Sequence, residues 1–147
     1  MFIAIGGGEV SQNQSYDIDK FIVESSKKEK PNFLFIPTAI KNAKPYVETV
    51  SYLYESLGCK TVTLYLSNAD IIIEEIDQKF KRTEIIYVGV GNTAYMKEVC
   101  KKYGVDKDQM RSFKSGKVLS GLSAESICWF IAGHSDSELI RYWKPKT

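Results

Sequence analysis

Residues 85–93 have the sequence Ile-Ile-Tyr-Val-Gly-Val-Gly-Asn-Thr, in which an uninterrupted apolar run meets a glycine-containing turn. Four further runs share this apolar character, namely Ile3–Ile5, Phe33–Ile36, Val62–Leu66 and Val118–Leu122. A strand that is apolar along its whole length is typical of a parallel sheet, because both of its faces are buried. The sequence therefore predicts five parallel strands, of which Ile85–Val88 is the fourth.

Segments with helical periodicity separate these runs. Apolar side chains recur three or four positions apart in three groups: Ile18, Phe21 and Ile22; Val47, Val50, Tyr54 and Leu57; and Tyr95, Met96, Val99 and Tyr103. Gly58 and Gly104 follow the second and third groups, where a left-handed residue would end a helix. The alternation predicts an α/β fold with an open, mostly parallel, doubly wound sheet, whose binding sites collect at the carboxyl ends of the strands.

Chain length and net charge limit the number of domains and the kinds of binding partner. The 147 residues, 44% of them hydrophobic, suit one compact domain over residues 1–147. The 20 Lys and Arg nearly cancel the 18 Asp and Glu, so the net charge of +2 gives no field that would recruit nucleic acid or an anionic membrane. We therefore expect no nucleic-acid partner and no membrane partner.

The sequence predicts no targeting segment, no disulfide framework and no cofactor site. The longest apolar runs fall far short of the roughly 20 residues that cross a bilayer. The amino-terminal segment looks like a strand and lacks the features of a secretory signal, so we expect a cytoplasmic protein. Three widely spaced cysteines and one histidine disfavour a disulfide framework and a zinc site. We expect no metal and no organic cofactor.

Two glycine-containing turns could bind a ligand. The turn Gly6-Gly7-Gly8 could cradle a phosphate, but a dinucleotide-binding fingerprint needs glycine at the position of Ser11, and a tight turn is the simpler interpretation. A nucleotide-binding, flavodoxin-like module is therefore our lowest-ranked hypothesis. The turn at 88–93 could present N–H groups as an oxyanion hole, or Asn92 or Thr93 could simply cap the next helix.

The stretch at 121–125, Gly-Leu-Ser-Ala-Glu, follows an apolar strand and precedes a segment of helical character. A nucleophile elbow places serine at such a strand-to-helix turn, where the next N–H helps to bind an oxyanion. Ser123 and the N–H of Ala124 fit these roles, and we then expect a strained backbone with positive φ at Ser123. The alternative is an ordinary helix N-cap with extended dihedral angles.

Several motifs in order carry a family resemblance. They are Ala4–Glu9, Phe35–Ala39, Tyr87–Thr93, Gly121–Ala124, Ile127–Phe130 and Ser135–Ser137. Together they resemble the peptidase E (aspartyl dipeptidase) and cyanophycinase-like serine peptidases, over essentially the whole chain. The resemblance implies a fold similar to class I glutamine amidotransferases, and a serine nucleophile assisted by a downstream histidine and an acidic residue.

The resemblance implies a role for particular residues. Ser123 matches the nucleophile, Gly91 and Ala124 match the oxyanion-hole donors, and Asp136 matches the acid. Short peptides, with an N-terminal Asp, are the implied substrates. The ends of neighbouring strands suggest further substrate contacts, at Asn92, Thr38 and Gly8, and charge alone suggests Lys41, Lys44 and Arg111 as readers of the substrate carboxylate.

The chain departs from the family pattern in three ways. Val90 replaces a glycine and restricts the turn before Gly91, and Glu125 adds a carboxylate beside the expected nucleophile. Family members are several dozen residues longer, so this chain looks truncated at the carboxyl end and lacks the implied histidine. If residues 124–132 form a helix, nine residues would hold His134 about 13 Å from Ser123, whereas a base must approach the serine to about 3 Å. We therefore do not expect His134 to substitute unless that helix breaks early.

Two functional hypotheses remain. The first is a serine-type dipeptidase that forms an acyl-enzyme at Ser123. The second is a truncated or degenerate homologue that binds a ligand or partner without catalysis, and we expect the 147-residue chain alone to be nearly inactive as a peptidase. Either protein could assemble as a homodimer.

Overall fold

The computed structural model describes residues 1–41, 43–67, 70–123 and 126. Its strands and helices follow one another in the order β1 (Phe2–Ile5), α1 (Tyr16–Ser25), β2 (Asn32–Ile36), α2 (Lys44–Ser56), β3 (Lys60–Thr63), α3 (Ile73–Arg82), β4 (Ile85–Val88), α4 (Thr93–Lys102), α5 (Val105–Lys114) and β5 (Val118–Leu122). Single turns of 3-10 helix at Val10–Gln12 and Thr38–Ile40 lie in the loops that follow β1 and β2. The alternation of strands and helices is the one that the apolar runs predicted.

The five strands form one parallel sheet in the order β1-β5-β4-β2-β3. The register pairs Leu122 with Ile5, and Gly121 with Val88, so that the carboxyl ends of β1, β5 and β4 lie side by side. Val88 in turn pairs with Ile36 at the end of β2. The predicted open, doubly wound parallel sheet is confirmed.

An apolar layer covers each face of the sheet. On one face the strands contribute alternate residues such as Phe33, Phe35 and Tyr87, which pack against α1 and α2. On the other face the intervening residues, such as Leu34 and Ile86, pack against α3, α4 and α5. Residues adjacent in a strand point to opposite faces, which is why these strands must be apolar throughout.

The third strand lies earlier in the chain than predicted. The apolar run suggested Val62–Leu66, whereas β3 spans Lys60–Thr63. The Leu64 amide still donates a hydrogen bond of 2.8 Å to the Phe35 carbonyl oxygen of β2, and in the described part of the chain no such bond to β2 follows it. Both leucines are buried in the layer formed by α3, α4 and α5. Their apolar character therefore reflects burial that continues past the end of the strand.

Two helices, α3 and α5, have no counterpart among the predicted helical patterns. Only Ile76 and Phe80 of α3 are buried, one turn apart, and Val105 is the only buried hydrophobic residue of α5. The stripe on α3 is nevertheless strongly periodic, since Ile73, Ile76 and Phe80 recur at helical spacing, and sequence reasoning missed it. The predicted glycine caps are confirmed, since Gly58 has φ of 93° and Gly104 has φ of 71°.

A buried carboxyl group links α1 to α2. Asp19 is completely buried, and its two carboxyl oxygens accept hydrogen bonds from the Tyr54 hydroxyl at 2.7 Å and the Ser15 hydroxyl at 2.8 Å. Burial raises the pKa of Asp19 above its ordinary value, and the two hydrogen bonds only partly offset that effect. The Tyr54 ring stacks on Phe33, with 3.8 Å between ring centroids, so the carboxyl group is anchored to the centre of the sheet.

Within the described ranges, no helix is long and apolar enough to cross a membrane.

Candidate active site

The residues that the sequence singled out lie at one edge of the sheet. Gly8 follows β1, Ser123 follows β5, Gly91 follows β4 and Thr38 follows β2, and these four strands are consecutive neighbours in the order β1-β5-β4-β2. All of the strands are parallel, so the four loops leave the sheet on the same side. This is the side on which ligands bind in open α/β sheets.

Ser123 adopts an uncommon backbone conformation. It is the first residue after β5, it is exposed, and its φ is 59°. Positive φ is rare for a residue with a side chain, and the extended conformation of an ordinary N-cap has negative φ. The positive φ expected at Ser123 is therefore found. The Ser126 hydroxyl donates a hydrogen bond of 2.6 Å to the Ser123 carbonyl oxygen and braces the turn from its other end.

Gly91 is held against the loop that follows β2. Its φ is 137°, and a β-carbon at this position would lie 2.2 Å from the carbonyl oxygen of Ala39. The next amide, from Asn92, donates a hydrogen bond of 2.8 Å to the same oxygen. The Gly91 amide itself donates to no group among the described residues. An unused amide at the end of a central strand is what an oxyanion-hole donor requires.

The three expected substrate contacts have different surroundings. Asn92 is exposed and caps α4, since its side-chain oxygen accepts a hydrogen bond of 2.8 Å from the Tyr95 amide. Thr38 is fully buried, and its hydroxyl oxygen has no partner among the described residues. Gly8 is exposed with φ of 129°, at the mouth of the loop between β1 and α1. Of the three, Asn92 and Gly8 present atoms to solvent.

The loop after β1 does not have the form of a dinucleotide site. Gly8 leads into a 3-10 turn, and α1 begins only at Tyr16. Side chains close the intervening loop on itself, with the Glu9 amide donating to the Gln14 side-chain oxygen at 2.9 Å and the Ser11 hydroxyl donating to the Glu9 carboxylate at 2.8 Å. A phosphate cradle needs the glycine turn to open a helix directly, so this geometry disfavours the nucleotide-binding hypothesis.

The three candidate readers of a substrate carboxylate are not equivalent. Arg111 lies on α5, where it forms ion pairs with Asp108 and, at 3.6 Å, with Asp77. Lys44 pairs with Glu48 one turn along α2. Lys41 ends the 3-10 turn after β2, and its ammonium group lies 5.9 Å from the centre of the Tyr95 ring at the amino end of α4. Lys41 is the one of the three that belongs to a loop at the candidate site.

Thiol chemistry and metal binding find little support in the described part of the chain. Burial raises the pKa of Cys59 to about 11 and that of Cys100 to about 12, so neither thiol forms a thiolate at neutral pH. The described residues contain no group of three or more histidine, cysteine, aspartate or glutamate side chains arranged to hold a metal ion. Outside the described residues lie Ala124, Glu125, His134 and Asp136 and the motifs at 127–130 and 135–137, all of which the sequence analysis named.

One contributor to the site was missed by sequence reasoning. Ala39 shapes the turn at Gly91 through its backbone carbonyl group, and its side chain is buried. A backbone contact of this kind depends on the position of the loop and leaves no pattern in the sequence. Away from the site, the burial of Asp19 was also missed, because Ile18 and Phe21, which marked α1 in the sequence, are exposed whereas Asp19 is buried.

Comparison with known proteins identifies the family. Residues 2–146 match the family model that is described as Peptidase family S51. The chain belongs to peptidase family S51. A Bacillus subtilis relative, named as the uncharacterized peptidase YgaJ, is 33% identical over 136 residues, which cover 92% of this chain and 58% of that protein. A Listeria monocytogenes relative, named as the uncharacterized peptidase Lmo0363, is 35% identical over 63% of this chain and 45% of its own length.

Solved structures agree with the S51 assignment. A peptidase E protein from Listeria monocytogenes EGD-e superposes with a TM-score of 0.66 at 27% identity, covering 84% of this chain and 58% of that one. A peptidase from an acI-B1 Actinobacterium superposes with a TM-score of 0.71 at 22% identity, covering 84% of this chain and 53% of that one, and supports the fold. This S51 chain thus spans between 45% and 58% of the length of these relatives.

Proposed function

We propose that this S51 chain carries the nucleophile and the oxyanion site of a serine peptidase that hydrolyses short peptides. The observation that supports it most strongly is the positive φ of 59° at Ser123, on an exposed turn that directly follows an interior strand. Such a turn lifts a hydroxyl group out of the sheet edge and into contact with a ligand. Membership of Peptidase family S51 supplies the reaction class.

The proposed reaction is acyl transfer to Ser123 followed by hydrolysis. The Ser123 oxygen attacks the peptide carbonyl carbon while a base takes the hydroxyl proton, and the carbonyl oxygen becomes an oxyanion. The amides of Gly91 and Ala124 stabilise that oxyanion. The proton is passed to the departing amine as the C–N bond breaks, and water then cleaves the ester and regenerates Ser123. Asp136 is the acid that would orient the base.

The proposed substrates are small peptides with an N-terminal Asp. Lys41 is the residue we assign to the substrate carboxylate, because it stands in the loop after β2 that also contacts Gly91 through Ala39. Asn92 and Gly8 expose polar backbone or side-chain atoms on either side of Ser123. Thr38 would act from beneath this surface, since its side chain is buried.

Covalent labelling with a fluorophosphonate probe tests the nucleophile. We expect Ser123 to be labelled, and the Ser123→Ala variant to lose the label. The matched control is Ser115→Ala, because Ser115 is also exposed but follows α5 and precedes β5, so it lies at the amino ends of the parallel strands. Labelling that survives Ser123→Ala, or that disappears with Ser115→Ala, would contradict the proposal.

An inactive binding module is the second candidate. The observation that favours it is Val90, which takes the place of a family glycine and packs partly buried against the core beneath the candidate oxyanion turn. We expect turnover of an Asp-X dipeptide by this chain to stay well below about 1 per second, the lower end of the usual enzyme range. Faster turnover that Ser123→Ala abolishes would exclude the binding-module hypothesis.

A further inference from the structure

Three polar side chains meet at the carboxyl ends of β2 and β3, beside the candidate active site. The hydroxyl oxygens of Ser67 and Tyr95 are 3.1 Å apart and share a hydrogen bond in which either group can donate. The Lys41 ammonium group lies over the Tyr95 ring, 5.9 Å from its centre. The loop after β2, the loop after β3 and the first turn of α4 supply one side chain each. We call Lys41, Ser67 and Tyr95 the Tyr95 cluster.

The Tyr95 cluster is continuous with the loop that holds Gly91. Lys41 is two residues beyond Ala39, whose carbonyl oxygen contacts Gly91, so the α-carbons of Lys41 and Ala39 are at most about 7 Å apart. Tyr95 is four residues beyond Gly91, and its amide donates to the Asn92 side chain that caps α4. A peptide with its carbonyl group at Gly91 carries its neighbouring functional groups about one residue, or about 3.8 Å, away. The long Lys41 side chain can therefore contact a group next to the scissile bond.

The backbone of Lys41 has an uncommon conformation. Its φ is 54° and its ψ is 41°, at the end of the 3-10 turn, where its amide donates a hydrogen bond of 3.0 Å to the Thr38 carbonyl oxygen. Residues with side chains rarely adopt these angles, and strained positions of this kind cluster at ligand sites. Lys41 shares its positive φ with Ser123, which lies at the same edge of the sheet.

The charge of Lys41 is available to an anion. Lys41 is exposed, and it forms no ion pair with any residue that the structure describes. The loops 37–43 and 64–72 contain one acidic residue, Asp70, and it does not pair with Lys41. A distance of 5.9 Å to the ring centre is near the outer limit of about 6 Å for a cation–π contact, so Tyr95 attracts the ammonium group only weakly.

The two hydroxyl groups can donate to the same anion. A tyrosine hydroxyl has one proton to donate and can accept hydrogen bonds as well. When Ser67 donates to the Tyr95 oxygen, the Tyr95 proton is free for a second acceptor, and within the described ranges the Tyr95 hydroxyl has no hydrogen-bond partner besides Ser67. An ionised carboxylate only accepts hydrogen bonds, and its bonds with charged partners are the stronger ones. A carboxylate therefore matches both the Tyr95 hydroxyl and the Lys41 ammonium group.

We propose that Tyr95 and Lys41 bind a carboxylate of the peptide substrate, and that Ser67 is a positioning residue that holds the Tyr95 hydroxyl. The Tyr95 hydroxyl donates to one carboxylate oxygen, and the Lys41 ammonium group pairs with the anion. An Asp-X dipeptide has two carboxylates within one residue of its scissile carbonyl group, on the Asp side chain and at the C-terminus, and both offer this chemistry. The inference rests on the proposed function for the identity of the ligand and adds residues that select acidic substrates.

Binding of three dipeptides tests the proposal and identifies the carboxylate. The ligands are Asp-Ala, Asn-Ala, which lacks the side-chain carboxylate, and Asp-Ala amide, which lacks the C-terminal one. NMR titration of the full 147-residue chain with Ser123→Ala gives each Kd without hydrolysis. We expect Asp-Ala to bind at least about tenfold more tightly than one of the other two ligands.

The Tyr95→Phe variant decides whether the Tyr95 hydroxyl causes that preference. The preference should fall about tenfold, because only an ionised ligand makes a charge-assisted hydrogen bond with this hydroxyl. The ligand whose disadvantage disappears identifies the carboxylate that Tyr95 binds. Absence of Asp-Ala binding, equal affinities for the three ligands, or a preference that Tyr95→Phe leaves intact would overturn the proposal.

Further variants separate local contacts from overall charge. Lys41→Met should reduce the preference in the same way, whereas Lys20→Met, which lowers the net charge equally on α1, should not. Ser67→Ala should weaken Asp-Ala binding severalfold, but it should have no further effect when combined with Tyr95→Phe, since it acts through Tyr95. An effect of Ser67→Ala that persists without the Tyr95 hydroxyl would contradict the positioning role.

Two readouts distinguish the carboxylate site from the nucleophile. Fluorophosphonate labelling of the natural chain reports on Ser123, and the titrations report on the Tyr95 cluster. Labelling at Ser123 without a carboxylate preference would overturn the role of the Tyr95 cluster alone. A carboxylate preference without labelling would overturn the nucleophile assignment and support the binding role of Tyr95 and Lys41.

Discussion

The α-carbon of Gly91 lies so close to the backbone of Ala39 that a β-carbon on it would stand 2.2 Å from the Ala39 carbonyl oxygen. That oxygen also accepts the Asn92 amide, so it ties the end of β4 to the loop after β2. The φ of Gly91 is 137°, a value that residues with side chains rarely adopt. The close contact with Ala39 and the positive φ thus each require glycine at position 91.

The first prediction concerns this close approach. Gly91→Ala should lower the free energy of unfolding by about 3–5 kcal/mol, because backbone atoms of two loops must separate. The control is Gly7→Ala, since Gly7 has no positive φ in the strained range and no atom within 4 Å of a β-carbon. Urea denaturation measures both variants. Equal stability losses in the two would show that the Ala39 contact is unimportant.

The second prediction separates strain from chemistry at Ser123. Replacing Ser123 with glycine should stabilise the protein by about 1 kcal/mol relative to Ser123→Ala, since glycine adopts a φ of 59° without steric cost. Neither variant should react with a fluorophosphonate. Thermal denaturation compares the two, and an alanine variant as stable as the glycine variant would mean that the turn relaxes once the hydroxyl is absent.

The third prediction concerns the hydrogen bond that Tyr54 of α2 donates to Asp19 of α1. Tyr54→Phe keeps the ring that stacks on Phe33 and removes only the hydroxyl that donates to Asp19. We expect a loss of about 1–3 kcal/mol, because a buried carboxyl oxygen is left without a donor. A suitable control is Tyr52→Phe, whose side chain is mostly exposed. If both substitutions cost equally little, Asp19 has another donor.

The fourth prediction gives the pH dependence of the same group. Burial raises the pKa of Asp19 in the folded protein above its ordinary 3.8, so the folded state binds the proton more tightly than the unfolded state. Its contribution to stability is therefore complete below the ordinary pKa and is lost as the pH rises through the folded-state pKa. The loss is about 1.4 kcal/mol for each pH unit that separates the two pKa values. The stability of the natural chain relative to Asp19→Asn should fall over that window. A difference that grows as pH rises would contradict the direction in which burial moves the pKa.

Much of the fold could be predicted because its strands are buried on both faces. Ile85, Ile86 and Val88 could only form an interior strand, and the helical pattern at Val47, Val50 and Tyr54 marked α2. The prediction failed where apolar residues are buried outside a strand and where a helix buries few apolar residues. Leu64 and Leu66 are buried outside β3, and the charged helices α3 and α5 place few apolar residues inward.

The candidate site was predicted in part. Glycine turns and a serine at strand ends marked Gly91 and Ser123, because few residue types tolerate the backbone of such turns. The contact between Gly91 and Ala39 could not be predicted, since it depends on how two loops meet across β2 and β4. Burial of the Thr38 side chain beneath that edge could not be predicted either, because polar residues at strand ends usually face solvent.

The sequence of β1 also has a consequence for how the protein behaves during folding. An apolar strand without charge or proline readily pairs with other chains and forms insoluble aggregates while it is exposed in the unfolded chain. The yield of soluble protein should therefore fall as the concentration of folding chains rises.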